Sequence, residues 1–225
     1  MQKTHDDYET ILCEIMERHG SDKGGSKRRS IHGHNYTIKY HDLFKGLRNE
    51  KLNVFELGLG TNQSDYHNNS NVEGIPGALP GASLRGWREY FPNADIYGAD
   101  IDKRILFQED KIKTFYCDQL NPDVIAEMWK SLDLEFDIII EDGLHTFEAN
   151  VCFLRHSLKV LKSSGFYVVE DINGNELKNW YSVFDEIKKE YPKADCKMYC
   201  LQYDQNRGND NNIVVIKKIS SSKIL

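Results

Sequence analysis

The sequence predicts a doubly wound α/β fold with a mostly parallel, seven-stranded sheet. Three observations predict it: seven short apolar runs from residue 53 onward, acidic residues at the C-terminal ends of most of them, and stretches of helical period in between. The runs are mostly continuous rather than alternating in apolarity, as strands covered on both faces require.

The first element is a helix. Tyr8, Ile11, Leu12, Ile15 and His19 recur at spacings of three and four, and Gly20 stops it. Ser21 to Thr37 is polar and basic, too rich in Gly, Ser and Lys for regular structure. VFELGLG, residues 54–60, is a strand ending in glycines, followed by a long loop from Asn62 to Gly81. Leu84, Trp87 and Phe91 give the next helix one apolar face. Further strands are DIYGADID, KTFYCD, FDIIIEDG, GFYVVEDI and NIVVIKKI, with a weaker one within Asp195 to Leu201. Between them run two helical stripes: Phe147, Val151, Leu154, Leu158 and Leu161, then Leu177, Trp180, Phe184, Ile187 and Tyr191. Ser220 to Ser222 mark a frayed tail. We expect one domain over residues 1–225, with a helical N-terminal extension (1–50) covering substrate and cofactor and a Rossmann-like core at 51–218.

Composition narrows the function. The chain has 225 residues, 40% hydrophobic and 28% charged, enough for a core and unlike a disordered chain. With 29 basic against 35 acidic residues the net charge is -6, which argues against a scaffold that binds nucleic acid by neutralising phosphates. No apolar run approaches the ~20 residues of a membrane span. Five cysteines without a CxxC read as reduced thiols, and the acidic N-terminus is unlike a secretory signal, so a cytoplasmic location is expected.

In open α/β sheets ligands bind outside the carboxyl ends of the strands. The first such end is Glu56-Leu57-Gly58-Leu59-Gly60, where glycines permit a sharp turn and close approach of a ligand, or simply a tight turn. Asp100 ends the next strand with a carboxylate able to accept two ribose hydroxyls, and Asp118-Gln119 adds an acid and an amide suited to an adenine edge. These point to an adenosine-containing cofactor. The third glycine of a dinucleotide fingerprint is absent, since Gln63 stands there and no helix follows for some time. Glu56 suits a cation rather than phosphates, which favours S-adenosylmethionine over a nicotinamide.

Asp142, Glu170 and Asp171 end two later strands. If those strands are neighbours, three carboxylates converge, and an all-oxygen set suits Mg²⁺ or Mn²⁺. Asp residues at strand-to-helix turns also serve as helix caps. His145, three residues after Asp142 at the start of a helix, is positioned as a general base for a metal-bound hydroxyl, or as a solvent-facing residue.

Together these residues resemble the class I S-adenosylmethionine-dependent methyltransferases, and more narrowly the metal-dependent sugar O-methyltransferases of the mycinamicin deoxysugar type. The resemblance covers roughly Gly20 to Asn173. Glu56-x-Gly58-x-Gly60 with Asp100 and Asp118 is its generic part; Asp142-Gly143-Leu144-His145 with Glu170-Asp171 is its specific part. Gly20-Ser21-Asp22-Lys23, His34-Asn35-Tyr36-Thr37 and Gly81-Ala82-Ser83 add support. It implies a methyl donor held by Glu56, Gly58, Gly60, Ser83 and Asp100, with Asp118 and Gln119 near the adenine. It also implies a divalent cation on Asp142, Glu170 and Asp171, with His145 as base. Two departures stand out: Leu144 occupies the place of the family's serine, and the chain is expected to lack the large N-terminal extra domain of the macrolide enzymes.

The expected activity is O-methylation of a sugar hydroxyl, on a nucleotide-activated or carrier-linked sugar for a surface polysaccharide or natural product. No nucleic-acid or membrane partner is expected, and a homo-oligomer is left open. The alternatives are a non-sugar oxygen (catechol or phosphoramidate), an NAD-dependent oxidoreductase, or a silent binding protein. Lys23, Lys27, Arg28 and Arg29 are read as a solvated basic loop or as contacts to an acceptor phosphate.

Overall fold

A computed structural model describes residues 9–25, 34–61, 79–201 and 209–219. Strands β1 (Asn53–Leu57), β2 (Asp95–Asp100), β3 (Gln108–Glu109), β4 (Ile112–Tyr116), β5 (Phe136–Glu141), β6 (Leu161–Val169), β7 (Asp195–Cys200) and β8 (Asn212–Lys217) form one sheet in the order β3-β4-β2-β1-β5-β6-β8-β7. From β4 through β6 neighbouring strands run parallel, whereas β8 is antiparallel to both β6 and β7. The seven expected strands are present. The eighth, β3, is a two-residue edge strand antiparallel to β4, too short to leave an apolar run in the sequence.

The chain runs outward from β1 through β2 to β4, then returns to place β5 on the other side of β1. That reversal opens a crevice at the carboxyl ends of β1 and β5. It fixes where a ligand can enter.

Helices α1 (Ile11–His19), α2 (Tyr36–Phe44) and α3 (Ala82–Tyr90) share one apolar layer; α4 (Pro122–Leu132), α5 (Phe147–Ser157) and α6 (Trp180–Glu190) share the layer on the opposite face. Helix α1 is capped by Thr10, whose side chain accepts from the Cys13 amide, and ends at Gly20 with φ +80°. Helix α2 departs from the sequence pattern: only Tyr36 and Thr37 fall in the stretch that reads as irregular, and the rest of the helix has no aliphatic stripe. It begins at Tyr36, and its inward face is the aromatic series Tyr36, Tyr40, Phe44 at steps of four. Helix α4 was also not singled out, although Asn121 followed by Pro122 is a start signal: the Asn121 side chain accepts from the amides of Asp123 and Val124. The α5 stripe overruns its helix, since a short 3-10 turn follows Ser157 and Leu161 already belongs to β6.

The N-terminal helices are part of the core rather than an appendage. Leu12, Ile15, Met16, Tyr36, Tyr40 and Phe44 are buried in the same cluster as Trp87 and Phe91. Phe44 ties α3 to the sheet: its ring centroid lies 6.3 Å from that of Trp87 and 5.5 Å from that of Phe166 on β6. Among the described residues no helix is long and apolar enough to cross a membrane.

Phe44→Ala should therefore cost about 3–5 kcal/mol, as for other buried aromatic truncations. Urea unfolding followed by circular dichroism checks this; a midpoint equal to wild type would mean that α2 is only loosely docked.

Candidate active site

The turn after β1 is built by its glycines. Gly58 has φ +91°, its amide donates to the Ala99 carbonyl at 2.8 Å, and a Cβ there would lie 1.8 Å from the Asp142 carbonyl oxygen. The glycine is thus required by the β5 backbone as well as by any ligand. Gly60 also has positive φ, +69°. The next strand end locks onto this turn: Asp100 accepts from the amides of Leu59 and Asp102, both at 2.8 Å. A solvent-open pocket lies over the turn, lined by Gly58, Gly60, Ser83, Asp22, Lys23 and Asp142 among others.

Glu56, expected to meet the cofactor, is fully buried and faces the chain's own donors. It accepts from the Ser83 hydroxyl and from the Trp87 indole N–H at 2.5 Å. It does not line the pocket. Burial raises its pKa, with Lys23 pulling the other way. Ser83 lines the pocket while donating to Glu56. Gln119 is likewise spent internally, which differs from an adenine contact: its Nε2 donates to Glu141 at 2.6 Å and its Oε1 accepts from the Leu144 amide at 2.8 Å. Asp118 is half-buried and caps the following turn by accepting from the Leu120 amide.

The carboxylates after β5 and β6 do converge. Asp142 Oδ1 lies 3.0 Å from His145 Nε2, and Asp171 Oδ2 lies 3.4 Å from the same nitrogen. Ligand atoms of Asp142, His145 and Asp171 fall within 4.8 Å of one another, a grouping able to hold a metal ion. Glu170 is in the same cluster but outside that grouping. One of its oxygens accepts from the Tyr40 hydroxyl at 2.5 Å, and the other is 2.6 Å from the Lys23 ammonium. Asp171 accepts from the Tyr36 hydroxyl at 2.7 Å, with His34 at 3.2 Å. His145 precedes α5 rather than starting it, because Thr146 is the cap, and its φ of +59° is left-handed; Asp171 is left-handed too, at +52°.

Lys23 is the main departure from the sequence reading. Instead of a solvated basic loop, it is buried, with Nζ 2.6 Å from Asp142, 2.6 Å from Glu170 and 3.7 Å from Glu56. Lys27, Arg28, Arg29 and the loop 62–78 lie outside the described residues.

Electrostatics follow from this packing. Burial works against the Asp142 charge, yet Lys23 and His145 hold its carboxyl well below the ordinary carboxylate range. Burial also opposes charge on His145, but the hydrogen bond to Asp142 and the Asp171 carboxylate push it up to about 10. Burial pushes Glu170 up, opposed by Lys23. Burial pushes Glu141, behind the cluster, up to about 7.

No protein-family model matches the chain. In structure it superimposes on the MycE methyltransferase from the mycinamycin biosynthetic pathway, in complex with Mg and SAH, with a TM-score of 0.70 and 21% identity over 97% of this chain and 57% of that one. In sequence it is 29% identical over 175 residues to an 8-demethyl-8-alpha-L-rhamnosyl tetracenomycin-C 2'-O-methyltransferase of Streptomyces olivaceus, covering 78% of this chain and 41% of the relative. It is 32% identical over 161 residues to a 3'-O-methyltransferase of 8-demethyl-8-(2-methoxy-alpha-L-rhamnosyl)-tetracenomycin-C from the same organism, covering 72% and 36%. A demethylmacrocin O-methyltransferase of Streptomyces fradiae matches at 30%, with the same coverage. The chain has the Rossmann-like fold of the MycE methyltransferase. In sequence the chain is similar to these natural-product sugar O-methyltransferases, and it spans about two fifths of the length of those curated relatives.

Glu141 yields a pH test. Between about pH 5 and 7 the folded chain keeps the Glu141 proton that the unfolded chain releases, so stability falls as pH rises through that window. Glu141→Gln should flatten this fall, by an amount on the order of 2 kcal/mol at pH 8. Urea titrations at pH 5 and 8 check it; the same difference in wild type and variant would contradict it.

Proposed function

We propose that the protein is an S-adenosylmethionine-dependent O-methyltransferase that uses a divalent cation and acts on a sugar hydroxyl. The observation that carries this reading is the meeting of Asp142, His145 and Asp171, with Glu170 alongside, next to the glycine-turn pocket. The names of the matched relatives support a sugar acceptor, and the MycE complex supports the pairing of Mg with an S-adenosyl ligand.

The donor set fits a hard cation. Asp142, Glu170 and Asp171 are carboxylates in a site that already draws a positive charge, since the Lys23 ammonium stands between two of them. A cation bound there supplies Lewis-acid polarisation of an acceptor hydroxyl. The remaining work falls to the chain. Gly58 and Gly60 let the methyl donor lie against the backbone. Asp100, with two amides accepted, keeps capacity for ribose hydroxyls, because a carboxylate accepts about four hydrogen bonds.

His145 is one-third exposed, so its ring can reach an acceptor in the crevice. It holds its proton as long as Asp142 and Asp171 are free to attract it. Relieved of that attraction, Nε2 becomes the acceptor of the hydroxyl proton, and the oxygen attacks the methyl carbon in line as the carbon–sulfur bond breaks and S-adenosylhomocysteine leaves with the electron pair. Alignment of the two reactants can lower the barrier by roughly 7–11 kcal/mol. The acceptor we propose is a nucleotide-activated or carrier-linked sugar of a natural product or surface polysaccharide.

Methyl transfer to a panel of nucleotide-linked and glycosylated acceptors, read by mass spectrometry, tests the activity. His145→Ala should lower turnover by about 10²–10⁴-fold. The thermal shift with S-adenosylhomocysteine should stay unchanged in that variant, because His145 is not among the residues lining the donor pocket. Full turnover in the variant would remove the base, and stabilisation by NAD but not by S-adenosylhomocysteine would remove the cofactor.

A further inference from the structure

Each oxygen of the expected metal-binding carboxylates faces a protein group. Asp142 faces His145 and Lys23, Glu170 faces Tyr40 and Lys23, and Asp171 faces Tyr36 and His145. The tyrosine contacts do not exclude a metal, because carboxylate oxygens have a second lone pair. Lys23 does. A divalent cation held by both Asp142 and Glu170 would need the space between their carboxylates. Nζ is already held 2.6 Å from Asp142 Oδ2 and 2.6 Å from Glu170 Oε2, so the two cations compete for one place. The other grouping, Asp142, His145 and Asp171, would take the imidazole as a ligand and remove it from proton transfer.

We propose that Lys23 is a positioning residue that exchanges with the divalent cation. Its ammonium holds Asp142 and Glu170 together in the metal-free protein and leaves when the ion enters. This rests on the metal-assisted reading above. The exchange needs only side-chain rotation, because the backbone is pinned. The Lys23 carbonyl accepts from the Thr37 amide at 3.2 Å, and a Cβ at Gly24 would lie 1.9 Å from Thr37 Oγ1, so the segment is pressed against α2. Lysine has a flexible four-carbon stem. Lys23 also lines the donor pocket, which gives the released ammonium a polar space to enter.

The test uses the whole chain with and without Mn²⁺. Binding is read by isothermal titration, and the reactivity of Lys23 by amine acylation and peptide mass spectrometry. Saturating Mn²⁺ should raise acylation of Lys23 at least about tenfold, and Lys23→Met should bind Mn²⁺ at least about tenfold more tightly, as removal of a blocking state does. Where Lys23→Met fails to fold, the wild-type acylation result decides. Mn²⁺ binding that leaves Lys23 as protected as before overturns the exchange and leaves the metal reading standing. No Mn²⁺ binding, with methyl transfer indifferent to chelation, overturns both.

Discussion

Acidic side chains from three adjacent strand ends meet in a buried place, and a positive charge among them is what makes the arrangement tolerable. Glu56 on β1, Asp142 after β5 and Glu170 after β6 are brought level by the parallel register: the Asp142 amide donates to the Leu57 carbonyl and the Glu170 amide to the Glu141 carbonyl. Buried like charges raise one another's pKa and resist ionisation. Lys23 answers all three at once, while Tyr40 also donates to Glu170 and Tyr36 to the neighbouring Asp171. All three donors come from the segment between the end of α1 and the end of α2. The N-terminal helices therefore serve packing and chemistry through the same residues, since Tyr36 and Tyr40 also fill the aromatic layer around Trp87 and Phe44.

Function follows from how the backbone aims these groups. The strand-order reversal at β1 and β5 opens the crevice, and Gly58 brings the β1 turn against the Asp142 carbonyl, so the glycine-turn pocket and the carboxylate cluster share a wall. His145 and Asp171 adopt left-handed backbone, a strain of about 1–3 kcal/mol each. Both sit where their side chains face Asp142 or one another; Lys111, Asp133 and Ser164 are left-handed as well, away from the cluster.

Much of this was legible in the residues. Continuous apolar runs such as Ile138-Ile139-Ile140 and Ile213-Val214-Val215-Ile216 are buried throughout, and they locate their strands directly. The carboxylates after β5 and β6 meet because those neighbouring parallel strands place their carboxyl ends on one edge. Three features were hidden. Helix α2 presents tyrosines rather than aliphatics, so its stripe does not stand out. The strand β3 is set by pairing to β4 and not by its own composition. Lys23 looks like a loop lysine among other basic residues, and only tertiary packing reveals that it points inward. Glu56 and Gln119 sit on the right strand ends, but their side chains are taken up by Ser83, Trp87, Glu141 and Leu144, partners that no local pattern announces.

The most direct test of a cation-holding carboxylate cluster beside a methyl-donor pocket is anomalous diffraction from crystals grown with Mn²⁺ and S-adenosylhomocysteine. The account predicts an anomalous peak contacting Asp142 and Glu170, with the homocysteine ligand over Gly58 and Gly60. Crystals with the ligand bound, no peak at the cluster, and Lys23 still bridging Asp142 and Glu170 would contradict it.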